Sequence, residues 1–360
     1  MNGNNNDDKI SMTDIIETSF IDYSRVEALG ALLRRVRNVV ITCHLSPDGD
    51  AMGSSLGLCR VLQNLGKRVK VIVPDTPPRY LMFLPGAENI VVFSRSEPFA
   101  RRLYQNTELV FCLDYNEPKR IDHMEEAMVG SPAPKVMIDH HLHPSDFPDV
   151  VISHPEVSST SALVFEVLCA LGLDGYVDAE AAECFYTGMM TDTGNFSYNS
   201  NDPNLYLIIA DLLGRGINKD AIYRQVNFVN TANRLRLNGF AMSERFTTYP
   251  EHHAALITLT RKELNHYQYQ KGDTEGLVNE PLTIPDIIWS VYLREEDGYV
   301  KVSMRSKGSF PVNIICKEHF NGGGHLNAAG GEFYGTMEEA VETFRKVLPL
   351  YDSYLPESGR

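Results

Sequence analysis

Five short, mostly apolar runs, separated by segments of helical periodicity, constrain the first half of this chain more than any other feature. They are NVVITC (38–43), KRVKVIV (67–73), ELVFCLD (108–114), KVMID (135–139) and VVIS (150–153). Each has the length of a buried strand rather than a helix. Between them lie patterns such as AMGSSLGLCRVLQNLG (51–66), in which Gly66 supplies a helix stop. Strands buried on both faces and alternating with helices imply a parallel sheet covered by helices.

The second half reads differently. Two helices, STSALVFEVLCALG (159–172) and AEAAECFYTGMMTD (179–192), follow the last strand, and further helices without strands extend to about residue 245. Beyond that point strands and helices mix. AALITLT is a strand, IIWSVYLR and YVKVSMRS form a hairpin around Asp297-Gly298, and PVNIICKEHF and MEEAVETFRKVL are helices. A chain of 360 residues exceeds one ordinary core. The expectation is a polar extension over 1–22, an α/β domain over 23–200, a helical connector over 201–245 and a smaller α+β domain over 246–360.

Composition removes several classes of function. No run reaches the roughly 18 to 20 apolar residues of a membrane span, and the polar start MNGNNNDDKI lacks a signal-peptide core. A cytoplasmic protein is expected. The net charge of −14 disfavours long duplex DNA and anionic membranes, both of which select basic surfaces. Six cysteines form no CxxC pair and sit mostly in apolar runs, as reduced core residues do.

The ionisable residues concentrate at strand ends. NVVITC runs into His44, with Asp48 and Asp50 in the same loop; ELVFCL ends at Asp114, and KVMI ends at Asp139, His140 and His141. In an open parallel sheet these ends share one edge, where ligands bind. Asp192, closing the helix 179–192, adds a fourth contribution. So many carboxylates can gather only with compensating positive charge. Two divalent cations satisfy that need, and carboxylates with imidazoles but no thiolates suit Mn²⁺ above Mg²⁺, Co²⁺ or Zn²⁺. A cation pair of this kind serves in-line displacement at phosphorus.

The motifs HLSPDGDA (44–51), LDYNEP (113–118), IDHH (138–141), MTDTGNF (190–196) and GGGHLNAAGG (322–331) together resemble the DHH phosphoesterases with a C-terminal DHHA1 domain. The resemblance covers about residues 25–345. It implies that His44 and Asp48 bind one metal, that Asp50, His140 and Asp192 bind the other, and that Asp114 bridges them. By the same resemblance Asp139 orients a neighbouring imidazole and His141 meets the scissile phosphate or protonates the leaving group. Residues His325 and Asn327 would then belong to the nucleotide-binding end, together with Gly322, Gly323 and Gly324.

Residue chemistry adds to that picture in the second domain. Three consecutive glycines let backbone approach a phosphate closely. Arg305 offers a fork for a second phosphate, with Ser306 and Lys307 nearby. Between Lys301 and Glu318 four basic residues face a single acid, in a chain that is acidic as a whole. A small basic patch of this kind suits short anionic ligands. The resemblance accordingly implies hydrolysis of short oligoribonucleotides (nanoRNA, dinucleotides such as pApA) to mononucleotides, and of 3′-phosphoadenosine 5′-phosphate (pAp) to AMP. Cyclic di-AMP hydrolysis, pyrophosphate hydrolysis and non-catalytic nucleotide binding are the alternatives. The choice between monomer and homodimer stays open.

Overall fold

The computed structural model describes residues 15, 16, 18, 20–228 and 230–355, and of His325 the backbone alone. Of the polar extension expected over 1–22, residues 1–14, 17 and 19 lie outside the described residues. Two compact units divide between residue 229 and Asn230.

The first unit is built on a parallel sheet of β1 (Asn38–Thr42), β2 (Arg68–Val73), β3 (Val91–Val92), β4 (Leu109–Leu113), β5 (Lys135–Asp139) and β6 (Val150–Ser153). Its strand order is β3-β2-β1-β4-β5-β6. Successive side chains alternate between two cores. Val39 and Ile41 of β1, and Leu109, Phe111 and Leu113 of β4, join one cluster, while Val40, Val110 and Cys112 join the other. The first core is covered by α1 (Tyr23–Arg35), α2 (Gly49–Asn64), α5 (Thr160–Ala170), α6 (Ala179–Asp192), α7 (Pro203–Gly214) and α8 (Lys219–Asn227). The opposite face carries α3 (Phe93–Asn106) and α4 (Glu125–Val129). All six cysteines are buried.

Strand order reverses between β1 and β4, because successive connections run outward to opposite edges of the sheet. The carboxyl ends of those two strands therefore flank a crevice that no connection covers. Helix α2 leaves β1 at that point and packs closely on α6. Gly53 makes the approach feasible, since a Cβ there would stand 2.6 Å from the Cys184 carbonyl oxygen and 2.8 Å from the Gly188 nitrogen. Gly49 and Gly57 lie one turn to either side and face Thr191 and Phe185. A stripe of three glycines thus seats α6 along α2, bringing the end of α6 beside the start of α2.

The second unit comprises α9 (Ala232–Glu244), β7 (Phe246–Tyr249), β8 (Ala254–Leu259), α10 (Arg261–His266), β9 (Trp289–Glu295), β10 (Val300–Ser306), α11 (Val312–His319), β11 (Gly323–His325), β12 (Ala328–Phe333) and α12 (Met337–Val347). The six strands run in the order β11-β12-β10-β9-β8-β7, antiparallel except for the pair β8 and β9. Helices of the segment expected as a connector join different cores. Leu205, Ile208 and Leu212 of α7 and Ile222 of α8 enter the first unit's core, whereas Leu237 and Ala241 of α9 pack with Ile257 and Leu259 of β8. Among the described residues no helix is long and apolar enough to cross a membrane.

The glycine-rich segment forms a β-hairpin. Gly323, Gly324 and His325 pair with Gly330, Ala329 and Ala328. Two of its glycines answer to the protein's own backbone. A Cβ on Gly324, whose φ is +141°, would stand 2.5 Å from the Ala328 carbonyl oxygen, and one on Gly322 would collide with Gly330. Gly323 differs, for a Cβ there would meet nothing among the described residues.

Candidate active site

Each of the first unit's predicted site residues arrives at the switch between β1 and β4. Asp48 is the N-cap of α2, and its Oδ1 accepts the N–H groups of Asp50 and Ala51, both at 3.0 Å. That cap fixes the loop from β1, so His44 and Asp48 face each other with Nε2 3.7 Å from Oδ1. Asp114 follows β4 directly and adopts φ +62°, a left-handed conformation uncommon for a residue with a Cβ. Its carboxylate lies between the histidines. Oδ2 is 3.4 Å from His44 Nε2, and Oδ1 is 3.7 Å from both His140 Nε2 and His141 Nδ1. Asp192, the last residue of α6, places Oδ2 3.5 Å from His140 Nε2.

The imidazole tautomers follow from their partners. A carbonyl oxygen can only accept, so His44 Nδ1 donates to Leu45 O at 2.8 Å and His140 Nδ1 donates to Val157 O at 3.2 Å. Both rings then turn Nε2 towards the carboxylates, the orientation that ligating histidines adopt. His141 is held otherwise. Its Nδ1 donates to Asp139 Oδ1 at 2.7 Å, and its backbone N–H donates to Asp139 Oδ2 at 3.1 Å.

Charge in this crevice is strongly coupled. Burial, and then the neighbouring Asp114, pushes Asp50 up to about 7. Burial raises Asp192 well above the carboxylate range, with Asp50 and Asp114 adding to the effect. Burial acts in the same direction on Asp114, but the neighbouring imidazoles of His44, His141 and His140 outweigh it and hold that acid low. For His44 burial opposes the charged form, yet Asp114 and Asp48 override it and raise the imidazole well above its ordinary value. His140 is raised in the same way by Asp114, Asp50 and Asp139. Neutralising such a cluster takes either protons or cations.

The donor set fits cations. Three groups of side chains bring one ligand atom each within 4.8 Å of one another: His44, Asp48 and Asp114; Asp50, His140 and Asp192; and Asp114, His140 and His141. The Nε2 to oxygen separations of 3.4–3.7 Å exceed hydrogen-bond length but suit two donors on one ion. These groups can hold a metal ion.

Several residues that support the site went unread in the sequence. Thr160, first in α5, donates its N–H to Asp50 Oδ2 at 2.7 Å and its hydroxyl to Asp114 Oδ1 at 2.9 Å. Ser161 N–H meets Asp50 Oδ1 at 2.8 Å. The signal was the polar triplet Ser159-Thr160-Ser161 ahead of an apolar helix, a capping pattern in which Ser159 is the N-cap. Asp75, just beyond β2, accepts the Ser46 N–H at 2.6 Å and so holds the turn where Ser46 has φ +54°. It is another acid beyond a strand end, as Asp114 is.

In the second unit Arg305 stands on β10 opposite Ala328 of β12, beside the glycine-rich hairpin. Ser306 is buried there, and its hydroxyl donates to Phe310 O at 2.7 Å. Asn327 donates through Nδ2 to Ser306 Oγ at 2.8 Å and to Gly308 O at 2.9 Å, tying the hairpin's turn to the end of β10. Lys307 donates Nζ to the carbonyl oxygens of Leu282, Ile284 and Pro285, which fixes it to the preceding loop. The His325 side chain, expected at the nucleotide-binding end, lies outside the described residues.

Comparison with known proteins agrees with both halves. Residues 38–189 match the DHH family, N-terminal domain, and residues 256–349 match the DHHA1 domain. The chain is 31% identical to the bifunctional oligoribonuclease and PAP phosphatase NrnA of Thermus thermophilus, over 94% of this chain and 96% of that one. It is 26% identical to the protein of the same description from Bacillus subtilis, over 83% and 90%. A crystal structure of an exopolyphosphatase-related protein from Bacteroides fragilis superposes with a TM-score of 0.92 at 48% identity, covering 94% of this chain and 99% of that one. With its imidazoles and aspartates gathered at the switch of a parallel sheet, and a DHHA1 domain in the second half of its sequence, the chain belongs to the DHH phosphoesterase family.

Proposed function

We propose that this protein hydrolyses short oligoribonucleotides to mononucleotides and pAp to AMP, using two divalent cations, Mn²⁺ foremost. The observation that carries this reading is the pair of histidine–aspartate groups, His44–Asp48–Asp114 and Asp50–His140–Asp192, with Asp114 Oδ1 3.7 Å from His140 Nε2 and the His141–Asp139 couple beside them. His44 and Asp48 would hold one cation, Asp50, His140 and Asp192 the other, and Asp114 would serve both. Bound there, cations supply the Lewis acidity that polarises a phosphoryl group and makes a water acidic enough to act near neutral pH.

The chain's own residues supply the rest. Asp139 fixes the His141 ring by bonding Nδ1, which leaves Nε2 to carry a proton to a departing oxygen. Thr160 and the α5 amides hold Asp50 and Asp114 in place without adding a formal positive charge. In the second unit Arg305 would bind a terminal phosphate, and the hairpin from Gly322 to Asn327 would meet the rest of the nucleotide end. Ser306 shapes that hairpin through Asn327. The names of the relatives support the choice of substrate, and the net charge of −14 supports short ligands over polymers.

The test is a comparison of initial rates with Mn²⁺ on a dinucleotide, pAp, pApA, cyclic di-AMP and pyrophosphate. Turnover of dinucleotide and pAp above the others is expected. Preference for cyclic di-AMP would move the assignment to the cyclic-dinucleotide reading, and turnover of none would overturn it.

A further inference from the structure

We infer that Thr160 is the positioning residue that holds Asp114 between the two histidine–aspartate groups and thereby sets how tightly the site binds its cations. The inference rests on the metal-binding reading above.

Thr160 is fully buried at the first position of α5. Its hydroxyl and its backbone N–H reach two acids that arrive from different elements, Asp114 after β4 and Asp50 in α2. A carboxylate can only accept, so the threonine hydroxyl donates to Asp114. Asp114 needs such a hold, because its left-handed backbone, at φ +62°, persists only when its surroundings fix it. Asp114 Oδ1 is also the oxygen that faces His140 and His141, whereas Oδ2 faces His44. Anchoring Oδ1 therefore fixes the rotation of the carboxylate about its own axis, which decides whether its two oxygens serve both groups.

The chemistry of the donor suits this task. A lysine or arginine in the same place would neutralise Asp114 and oppose cation binding. A neutral hydroxyl satisfies one lone pair and leaves the negative charge intact. The α5 amides treat Asp50 in the same manner, one N–H on each oxygen. Partners of this kind around a ligand are each worth about 10- to 100-fold in metal affinity.

The experiment is a calorimetric titration of the full-length protein with Mn²⁺ alone, paired with its Mn²⁺ EPR spectrum. Thr160→Val keeps the shape and the N–H to Asp50 but loses the hydroxyl; Thr160→Ala repeats the loss, and Thr160→Ser restores the donor. Tenfold or weaker Mn²⁺ binding is expected for the first two, with an altered spectrum, and wild-type behaviour for the serine variant. The kcat of Thr160→Val at limiting Mn²⁺ should fall and recover with excess Mn²⁺, while KM for a dinucleotide stays unchanged. A valine or alanine variant with a normal melting curve and wild-type Mn²⁺ affinity would overturn the inference and leave the metal reading standing. Wild-type protein that binds no Mn²⁺ would remove both.

Discussion

Asp139 grips His141 twice, accepting the ring Nδ1–H at 2.7 Å and the backbone N–H at 3.1 Å, from a position with no solvent exposure. Two bonds from one carboxylate fix both the tautomer and the plane of the imidazole. Asp139→Asn should therefore lower kcat on a dinucleotide by about 10²- to 10³-fold, in the range of a lost general acid. Mn²⁺ affinity should hold, since the six residues proposed to hold the cations are untouched. Steady-state kinetics with a parallel Mn²⁺ titration check this; a variant that loses Mn²⁺ along with turnover would place Asp139 among the ligands instead.

Contact between α2 and α6 yields a second expectation. A methyl group at Gly53 would strike the Cys184 and Gly188 backbones, which cannot rotate away as a side chain can. Gly53→Ala should cost about 2 kcal/mol or more, as overpacking does. In a unit of this size that is a fall of roughly 4 to 8 °C in Tm. Activity should fall as well, because Asp192 closes α6, the helix that this contact seats on α2. Thermal melts and rates on one preparation test the pair of effects.

The three glycines of the hairpin should separate by role. Gly324→Ala forces a Cβ into the partner strand at φ +141° and should lower Tm. Gly323→Ala meets no atom of the described residues and should leave Tm within 1 °C or so of wild type. If this strand approaches the nucleotide, the same change should raise KM several-fold. Unaltered KM for Gly323→Ala would remove that residue from the substrate contacts.

Glu166 carries a pH dependence unrelated to the cations. It is buried in α5, its Oε2 has no hydrogen-bond partner among the described residues, and burial followed by the charge of Asp202 raises its carboxyl to about 8. An unfolded glutamate ionises near 4.5. Between those values the folded chain keeps a proton that the unfolded chain releases, so stability is full below about pH 4.5 and declines as pH rises towards 8. Glu166→Gln removes the titration. Its melting temperature should match wild type near pH 4.5 and exceed it at pH 8.5 by a margin worth at least about 2 kcal/mol. Equal melting temperatures at pH 8.5 would show that the carboxyl ionises without penalty.

Much of the site could be read in the sequence because strand ends are legible there. Apolar runs that stop at His44, Asp114 and Asp139 mark one edge of a parallel sheet before any coordinates are known, and the sheet order brings them together. Other parts were hidden for physical reasons. The two-residue strand β3 is too short to show a period. Helices α7, α8 and α9 all carry apolar stripes, but a stripe does not say which core it enters. Glycines 322–324 read as a ligand-binding run, whereas Gly322 and Gly324 are demanded by the close approach of the partner strand in the hairpin, a pairing that composition cannot show. Thr160 and Asp75 look like an ordinary cap and an ordinary turn until their partners are in place.

The measurement that bears most directly on the central claim is dinucleotide turnover, with Mn²⁺, by wild type and by Asp114→Ala. Asp114 is the residue common to the His44–Asp48 group and the His140–His141 group, it is buried, and its Oδ1 lies 3.7 Å from the Nε2 of His140, which Asp50 and Asp192 share. Wild type should release mononucleotides, and the folded alanine variant should release none above background. A folded Asp114→Ala protein that still cleaves at a comparable rate would contradict the account, because hydrolysis would then be proceeding without the carboxylate on which both halves of the site depend.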